Sequence, residues 1–232
     1  MNFFKLSLVA TSLLLIGCGS SSNKSSTAPK ATTVKDATKN IKALDSLKSL
    51  EKIGQSTTTK IQKLSKAQSV PCSGGGTMSV DISEDETTTT IVMNKCTQGD
   101  SYLNGTLTTI EQDNGYFKMS INGLTVKQNN EETSATKLVM EGNDKEYWST
   151  IDGDLKFKSS NCFSGTFDIK TLEKMYDMQD GSDGVRKGKL ELNGATYTFD
   201  YPNVTVKAGG ESKTMTQKEL EKEMESTTSC NI

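Results

Sequence analysis

The sequence predicts a mainly β protein: an antiparallel meander forming a curved sheet or a sandwich, with an N-terminal amphipathic helix before it and a short C-terminal helix after it. Three observations predict this. From Cys72 onward apolar residues recur at every second position, the period of strands with one buried face. Asn-Gly and Asp-rich turn signals interrupt that pattern at short intervals. Thr, Ser, Asn and Gly are abundant while the 232 residues include 3 prolines, a composition suited to a sheet surface with many turns.

The first element in the chain is an export segment. Met1 to Gly17 has Lys5 as its one charge, an apolar stretch from Leu6 to Ile16, and the small Gly17. The stretch is shorter than the roughly 20 residues that span a bilayer. Leu15-Ile16-Gly17 is followed directly by Cys18, and this four-residue run resembles the lipobox of bacterial lipoprotein precursors. The resemblance implies that signal peptidase II recognises Leu15, Ile16 and Gly17 and cuts before Cys18. It also implies that Cys18 carries a diacylglycerol thioether and an acyl chain of the palmitate kind on its new amino group. Two or three such chains anchor stably, at roughly 0.8 kcal/mol per buried methylene. The expected address is the cell envelope. Gly19 stands where an Asp would retain the protein at an inner membrane, so an outer membrane is favoured in an organism that has one, with the body facing the periplasm or the cell surface. The resemblance covers residues 1–18 and implies nothing about the rest.

Beyond the signal peptide (1–17), the chain divides into a lipidated cysteine with a polar tether (18–33), a helical segment (34–67) and a disulfide-tied β domain (68–232). Gly19 to Thr33 is too rich in serine to bury a face, and fully extended it would reach about 50 Å. From Val34 to Ile53 the apolar Val34, Ala37, Ile41, Leu44, Leu47, Leu50 and Ile53 recur every three or four residues, which predicts an amphipathic helix ended by Gly54. Its acidic residues Asp36, Asp45 and Glu51 favour packing on the domain over lying on a membrane. Thr58 to Ala67 predicts a second, short helical turn.

In the β domain, Met78, Val80 and Ile82 alternate with polar residues, as do Thr89, Ile91 and Met93 after the turn at Ser83-Glu84-Asp85-Glu86. Further strands are expected over 102–111, 116–121, 124–127, 135–140, 147–151, 155–158, 189–192, 196–201 and 204–207, with a helical turn over 172–178. Thr216-Gln217-Lys218-Glu219 has the spacing of a capping box and predicts a helix through Glu225. A weak repeat suggests two related β units: Gly76-Thr77-Met78 matches Gly165-Thr166-Phe167, Leu103-Asn104-Gly105 matches Leu192-Asn193-Gly194, and Gly123 to Lys127 matches Asn203 to Lys207.

With Cys18 assigned to lipid, Cys72, Cys96, Cys162 and Cys230 remain, and an even number in an exported protein reads as two disulfides. Cys72 and Cys96 are equidistant from Glu84, so a hairpin folded there pairs them and leaves Cys162 for Cys230. A zinc site is disfavoured because the chain has no histidine and no Cys-x-x-Cys spacing.

No catalytic motif or cofactor fingerprint is present, and no cofactor or metal is expected. The lack of histidine removes the commonest general base. Asp177, Asp180, Gly181, Asp183 and Gly184 offer oxygen ligands and turns, but their spacing is not that of a calcium loop. Asp81, Glu84, Asp85 and Glu86 read as surface charge. Tyr147 and Trp148 are neighbours that would face opposite sides of a strand, so core packing of one is the default and ligand stacking the alternative. A formal charge of −2 argues against a nucleic-acid partner. The expected function is therefore a non-enzymatic binding or structural module, held to the membrane through Cys18 and recognising an unknown protein or small ligand. The alternative is a carrier of apolar ligand, similar in outline to the lipoprotein carriers LolA and LolB. Since 33% of the residues are hydrophobic and 6% aromatic, the chain has enough for one filled core, which favours the binding module.

Overall fold

The computed structural model describes residues 30–41, 68–128, 131–158, 164–179 and 184–226. Twelve strands form one antiparallel sheet in sequence order: β1 (Gln68–Pro71), β2 (Thr77–Ile82), β3 (Thr88–Gln98), β4 (Ser101–Glu111), β5 (Tyr116–Gln128), β6 (Glu131–Asn143), β7 (Trp148–Lys158), β8 (Ser164–Asp177), β9 (Val185–Leu192), β10 (Ala195–Asp200), β11 (Asn203–Ala208) and β12 (Glu211–Thr216). Helix α1 (Val34–Ile41) packs on β9, β11 and β12, and α2 (Gln217–Ser226) packs on β11, β12 and α1. The meander is thus one sheet and not a sandwich.

The period-two pattern decides which face is which. Val80, Ile91, Leu107, Ile121, Leu138, Gly153, Ile169, Leu192 and Ala195 are successive cross-strand partners, and the apolar members of this line are all buried. One step along, Asp81, Thr90, Thr108, Ser120, Val139, Asp152, Lys170 and Glu191 form the matching line on the other face. A one-residue slip would exchange the two lines, and burying a single Leu or Ile contributes about 1.5–3 kcal/mol, so register is fixed by the sum over strands.

A line of irregularities crosses the middle of the sheet, with register shifts between Met93 and Cys96, Asn104 and Thr106, Ser134 and Leu138, and Ser149 and Asp152. At three of the four, side chains take up backbone donors that leave the ladder. The Lys95 amide donates to Asn104 Oδ1 at 3.1 Å, and those of Thr136 and Lys137 to the Asp154 carboxylate at 2.9 and 3.1 Å. The Ile151 amide donates to Thr171 Oγ1 at 2.7 Å, and the Thr171 amide to Asp152 Oδ1 at 3.0 Å. Such bulges bend and twist a strand. Gly153, at φ 139°, lies so close to β6 that a Cβ there would fall onto the Lys137 carbonyl.

These bulges correct several sequence expectations. Residues 116–121 and 124–127 belong to one strand, β5, because the extra residue at Gly123 switches the inward parity from Ile121 to Leu124 without ending the ladder. Residues 147–151 and 155–158 likewise join in β7, which begins at Trp148. The segment 172–178 is strand rather than helical turn: β8 runs to Asp177, and its extra residues are absorbed in the shifts against β7 and β9. Strands β1 and β12, which the pattern did not predict, are the two edges, carrying Pro71 on one and Glu211 and Lys213 on the other, residues that discourage further pairing. The second match of the repeat falls at different places in the two units. Asn104-Gly105 sits at a bulge inside β4, whereas Asn193-Gly194 is the turn between β9 and β10.

The helices follow their caps. The Asp36 amide donates to Thr33 Oγ1 at 3.1 Å and the Val34 amide to Glu211 at 2.9 Å, satisfying donors that open α1. Val34, Ala37 and Ile41 are buried on the domain, as expected of the apolar stripe; the remainder of segment 34–67 lies outside the described residues. The capping box of α2 is reciprocal, with the Glu219 amide on Thr216 Oγ1 at 3.2 Å and the Thr216 amide on Glu219 Oε2 at 2.7 Å.

Candidate functional site

The sheet has two ends of different chemistry. At one, which we term the entry end, the first described residues join the body: the Ala31 amide donates to the Asn193 carbonyl at 3.0 Å, and Thr32 lies against Gly209. The turns after β1, β3, β9 and β11 lie here. So does the Cys72–Cys96 disulfide, with Cα atoms 5.4 Å apart. The ladder of β2 and β3 is centred between Asp85 and Glu86, since Ile82 pairs with Thr89. The loop after Cys72 then folds across β3, where Gly74 and Gly75 exchange hydrogen bonds with Thr97 at 2.9 Å, and brings the two sulfurs together.

At the far end are the turns after β2, β4, β6 and β10, and the end of β8. Three aromatic residues stand immediately beside these turns and on the outward face: Tyr116 opens β5, Trp148 opens β7, and Tyr176 nearly closes β8. They fall in one cross-strand row, Tyr116–Asn143–Trp148–Tyr176–Lys187, over five adjacent strands. Asn143 is a buried post for the row. Its Oδ1 accepts the Lys145 and Glu146 amides at 2.9 and 3.0 Å, which sets the turn between β6 and β7, and its Nδ2 donates to Asn114 O at 3.3 Å.

The rings are held by charge. Trp148 Nε1 donates to Glu146 Oε2 at 2.8 Å, and Lys174 Nζ lies 3.5 Å from the indole centroid. The Arg186 guanidinium lies 5.7 Å from the Tyr176 ring, and Tyr116 Oη donates to Glu141 at 3.2 Å. Cation–π contacts of this kind contribute about 0.5–1 kcal/mol when exposed. Tyr147, at φ 58° in the turn, and Tyr201 flank the row and are 40% and 48% exposed. Neither Tyr147 nor Trp148 is in the core, so the default expectation of core packing is corrected.

Charges of both signs stand around the row. Glu111 and Asp113 flank the turn after β4 and Asp144 and Glu146 lie in the turn after β6, beside Lys118, Lys145, Lys174, Arg186 and Lys187, while Glu84, Asp85 and Glu86 lie in the turn between β2 and β3. Burial and the neighbouring Asp144 charge raise the pKa of Glu111. Burial pushes Asp177, at the end of β8, up to about 6. Hydrogen bonds from Ser83 and Thr87 hold Asp85 low.

Of the residues singled out in the sequence, Cys18, Leu15, Ile16, Gly17, Cys162 and Cys230 lie outside the described residues, so the structure speaks only to Cys72–Cys96. Asp180, Gly181 and Asp183 are also outside them. Asp177 and Gly184 are separated by function: Asp177 is desolvated, while Gly184 is buried beside the Gln217 side chain, which clamps Val185 N and O at 3.1 and 2.6 Å. Among the described residues no group of three or more Cys, Asp or Glu could hold a metal ion. The aromatic row was missed because Tyr116, Trp148 and Tyr176 are far apart in sequence; the signal was that each abuts a turn on the same end of a meander.

Comparisons with protein-family models, with curated proteins and with solved structures return no match for this chain.

Proposed function

We propose that this is a lipid-anchored protein of the cell envelope, a non-enzymatic binding module fixed to a membrane through Cys18 and presenting the far end of its sheet to a ligand. The observation that carries this reading is the placement of the chain's entry. Lys30 to Thr32 join the body at the end opposite the aromatic row, so a tether rooted at Cys18 leaves that row the part of the body turned away from the anchor. Strand β7 alone has 11 residues, a length of about 36 Å.

The inner face supports a binding module over a carrier of apolar ligand. Leu138, Leu155, Phe167, Leu124 and Tyr197 are at most 1% exposed with nothing bound, so the chain itself covers them, whereas side chains lining an empty lipid cavity would be open to water. The outer face carries Asp81, Lys137, Asp152 and Lys170 and is unsuited to lipid contact on the strands. The anchor is therefore the acylated cysteine, the partner is a protein or small ligand, and the formal charge of −2 disfavours nucleic acid. The address is the envelope, with the outer membrane favoured where there is one. Cys162 and Cys230 form the second disulfide of this reading.

The test is labelling with radioactive palmitate and phase partition in detergent. The wild type is expected to take up label and enter the detergent phase, and Cys18→Ser to do neither. Equal behaviour of the two would refute the anchor.

A further inference from the structure

We propose that the inner face of β3 to β7 is a docking site within the molecule, and that its occupant is the chain's own stretch 42–67, seated where a carrier would hold its apolar ligand. The inference bears on the choice between binding module and carrier and is independent of the anchor. It starts from the inner face, which is buried beyond the reach of the two helices. Ile91, Leu107, Ile121, Leu138 and Leu155 stand on five adjacent strands and are at most 3% exposed. Helices α1 and α2 pack instead on β9, β11 and β12. A sheet closed into a barrel buries its own inner face, but here β1 and β12 are edges, and an open sheet needs a second layer over its apolar side.

Where the stretch begins and ends selects it as that layer. It leaves α1 after Ile41, which is buried in the core, and it returns as Gln68, paired with Val80 at the opposite edge of the sheet. To join these points the chain crosses the sheet from one side to the other. Strands β9 and β1 are eight spacings apart, about 38 Å around the sheet. As a helix the stretch would measure about 39 Å, and as an extended chain it would reach further. The crossing starts on the inner side, where Tyr197 Oη donates to the Ala37 carbonyl of α1 at 2.6 Å. The sequence supplies the matching surface, since Leu44, Leu47, Leu50 and Ile53 recur every third residue and make one apolar stripe. On the outer face that stripe would meet Asp81, Thr90, Asp152 and Lys170, whereas the inner face offers it apolar partners.

The experiment places the photoreactive residue p-benzoylphenylalanine at Leu47 of the full chain in neutral detergent, irradiates it, and maps the adduct by mass spectrometry. The same replacement at Lys52, on the side opposite the stripe, is the control. The Leu47 adduct is expected within the same chain, at inner-face residues of β3 to β7 such as Leu107 and Leu138, and Lys52 is expected to give none there. Hydrogen exchange of the unmodified protein is the second reading, with the amides of 44–53 expected to exchange far more slowly than in the urea-unfolded chain. The proposal is overturned by a Leu47 adduct on outer-face residues, on a second chain or on detergent alone, or by equal adducts from the two positions. Exchange of 44–53 at the unfolded rate would also overturn it, as would an apolar molecule copurifying one to one with the folded body. If circular dichroism shows that the replacement unfolds the protein, hydrogen exchange of the unmodified chain decides alone. Cys18-dependent partition into detergent is untouched by any of these outcomes, so the anchor stands or falls separately.

Discussion

At the entry end a buried polar side chain closes on backbone groups, whereas the far end combines such a post, Asn143, with an outward row of aromatic rings and with carboxyls in a desolvated setting. Asn193 shows the first pattern. It is buried, its Oδ1 accepts the Asp168 amide at 2.8 Å, its Nδ2 donates to Thr166 O at 3.4 Å, and its carbonyl receives Ala31. Glu111 and Asp177 show the second, two desolvated carboxyls at strand ends, opposite the buried Phe117 and Val185. Both ends are hairpin turns of one meander, so topology does not explain the difference. At the far end the burial of Asp177 costs some stability.

The largest expected effect lies between the two ends. Gly153→Val puts a branched side chain at φ 139° against the Lys137 carbonyl, and it should cost at least about 3 kcal/mol. Urea unfolding measures it; a cost below about 1 kcal/mol would mean that the bulge line relaxes freely and does not couple the ends. Next, at the entry end, Cys72→Ser with Cys96→Ser removes a bridge across a separation of 24 residues and should lower stability by about 3 kcal/mol. The same measurement should find Asn193→Ala less stable by about 1 kcal/mol, since two part-buried backbone groups lose their partner.

The far end should respond with the opposite sign. Burial raises the folded-state pKa of Asp177 to about 6 from 3.8, so the folded protein resists ionisation of this group more than the unfolded chain does. Its contribution is neutral below the unfolded value and becomes destabilising as pH rises from 3.8 to about 6, after which it is constant. A two-unit shift corresponds to at most about 2.7 kcal/mol, and partial exposure reduces the expected figure to about 1 kcal/mol. Asp177→Asn should therefore stabilise the protein by about that amount at pH 7 and leave it unchanged near pH 3.5. Urea titrations at both values decide, and a variant that is destabilised at pH 7 would place Asp177 among the stabilising groups instead.

Much of the fold was legible because one face is buried throughout. The alternation of Met78, Val80 and Ile82 gave β2, the capping box at Thr216 gave α2, and the hairpin at 83–87 gave the Cys72–Cys96 pair. Bulges hid strand continuity, since Gly123 and Asp152-Gly153 carry the same residue types that end strands elsewhere. Residues 172–178 misled because the extra residues in β8 break its alternation, Leu172 being exposed and Met175 buried. The candidate site was the least legible part. Trp148 was noticed, but its placement outside the core, and beside Tyr176, depends on a cross-strand register that no local pattern states.

The claim that joins these regions is that the chain is held at the entry end and recognises at the far end, and the protein carries its own reporter. Its one tryptophan is Trp148, in the aromatic row. The acylated protein reconstituted in vesicles can be quenched from the water with iodide and from the bilayer with brominated lipid. The account predicts that iodide quenches Trp148 as well on vesicles as in detergent, and that brominated lipid leaves its emission unchanged. Strong quenching by brominated lipid with protection from iodide would put the far end on the membrane and contradict it.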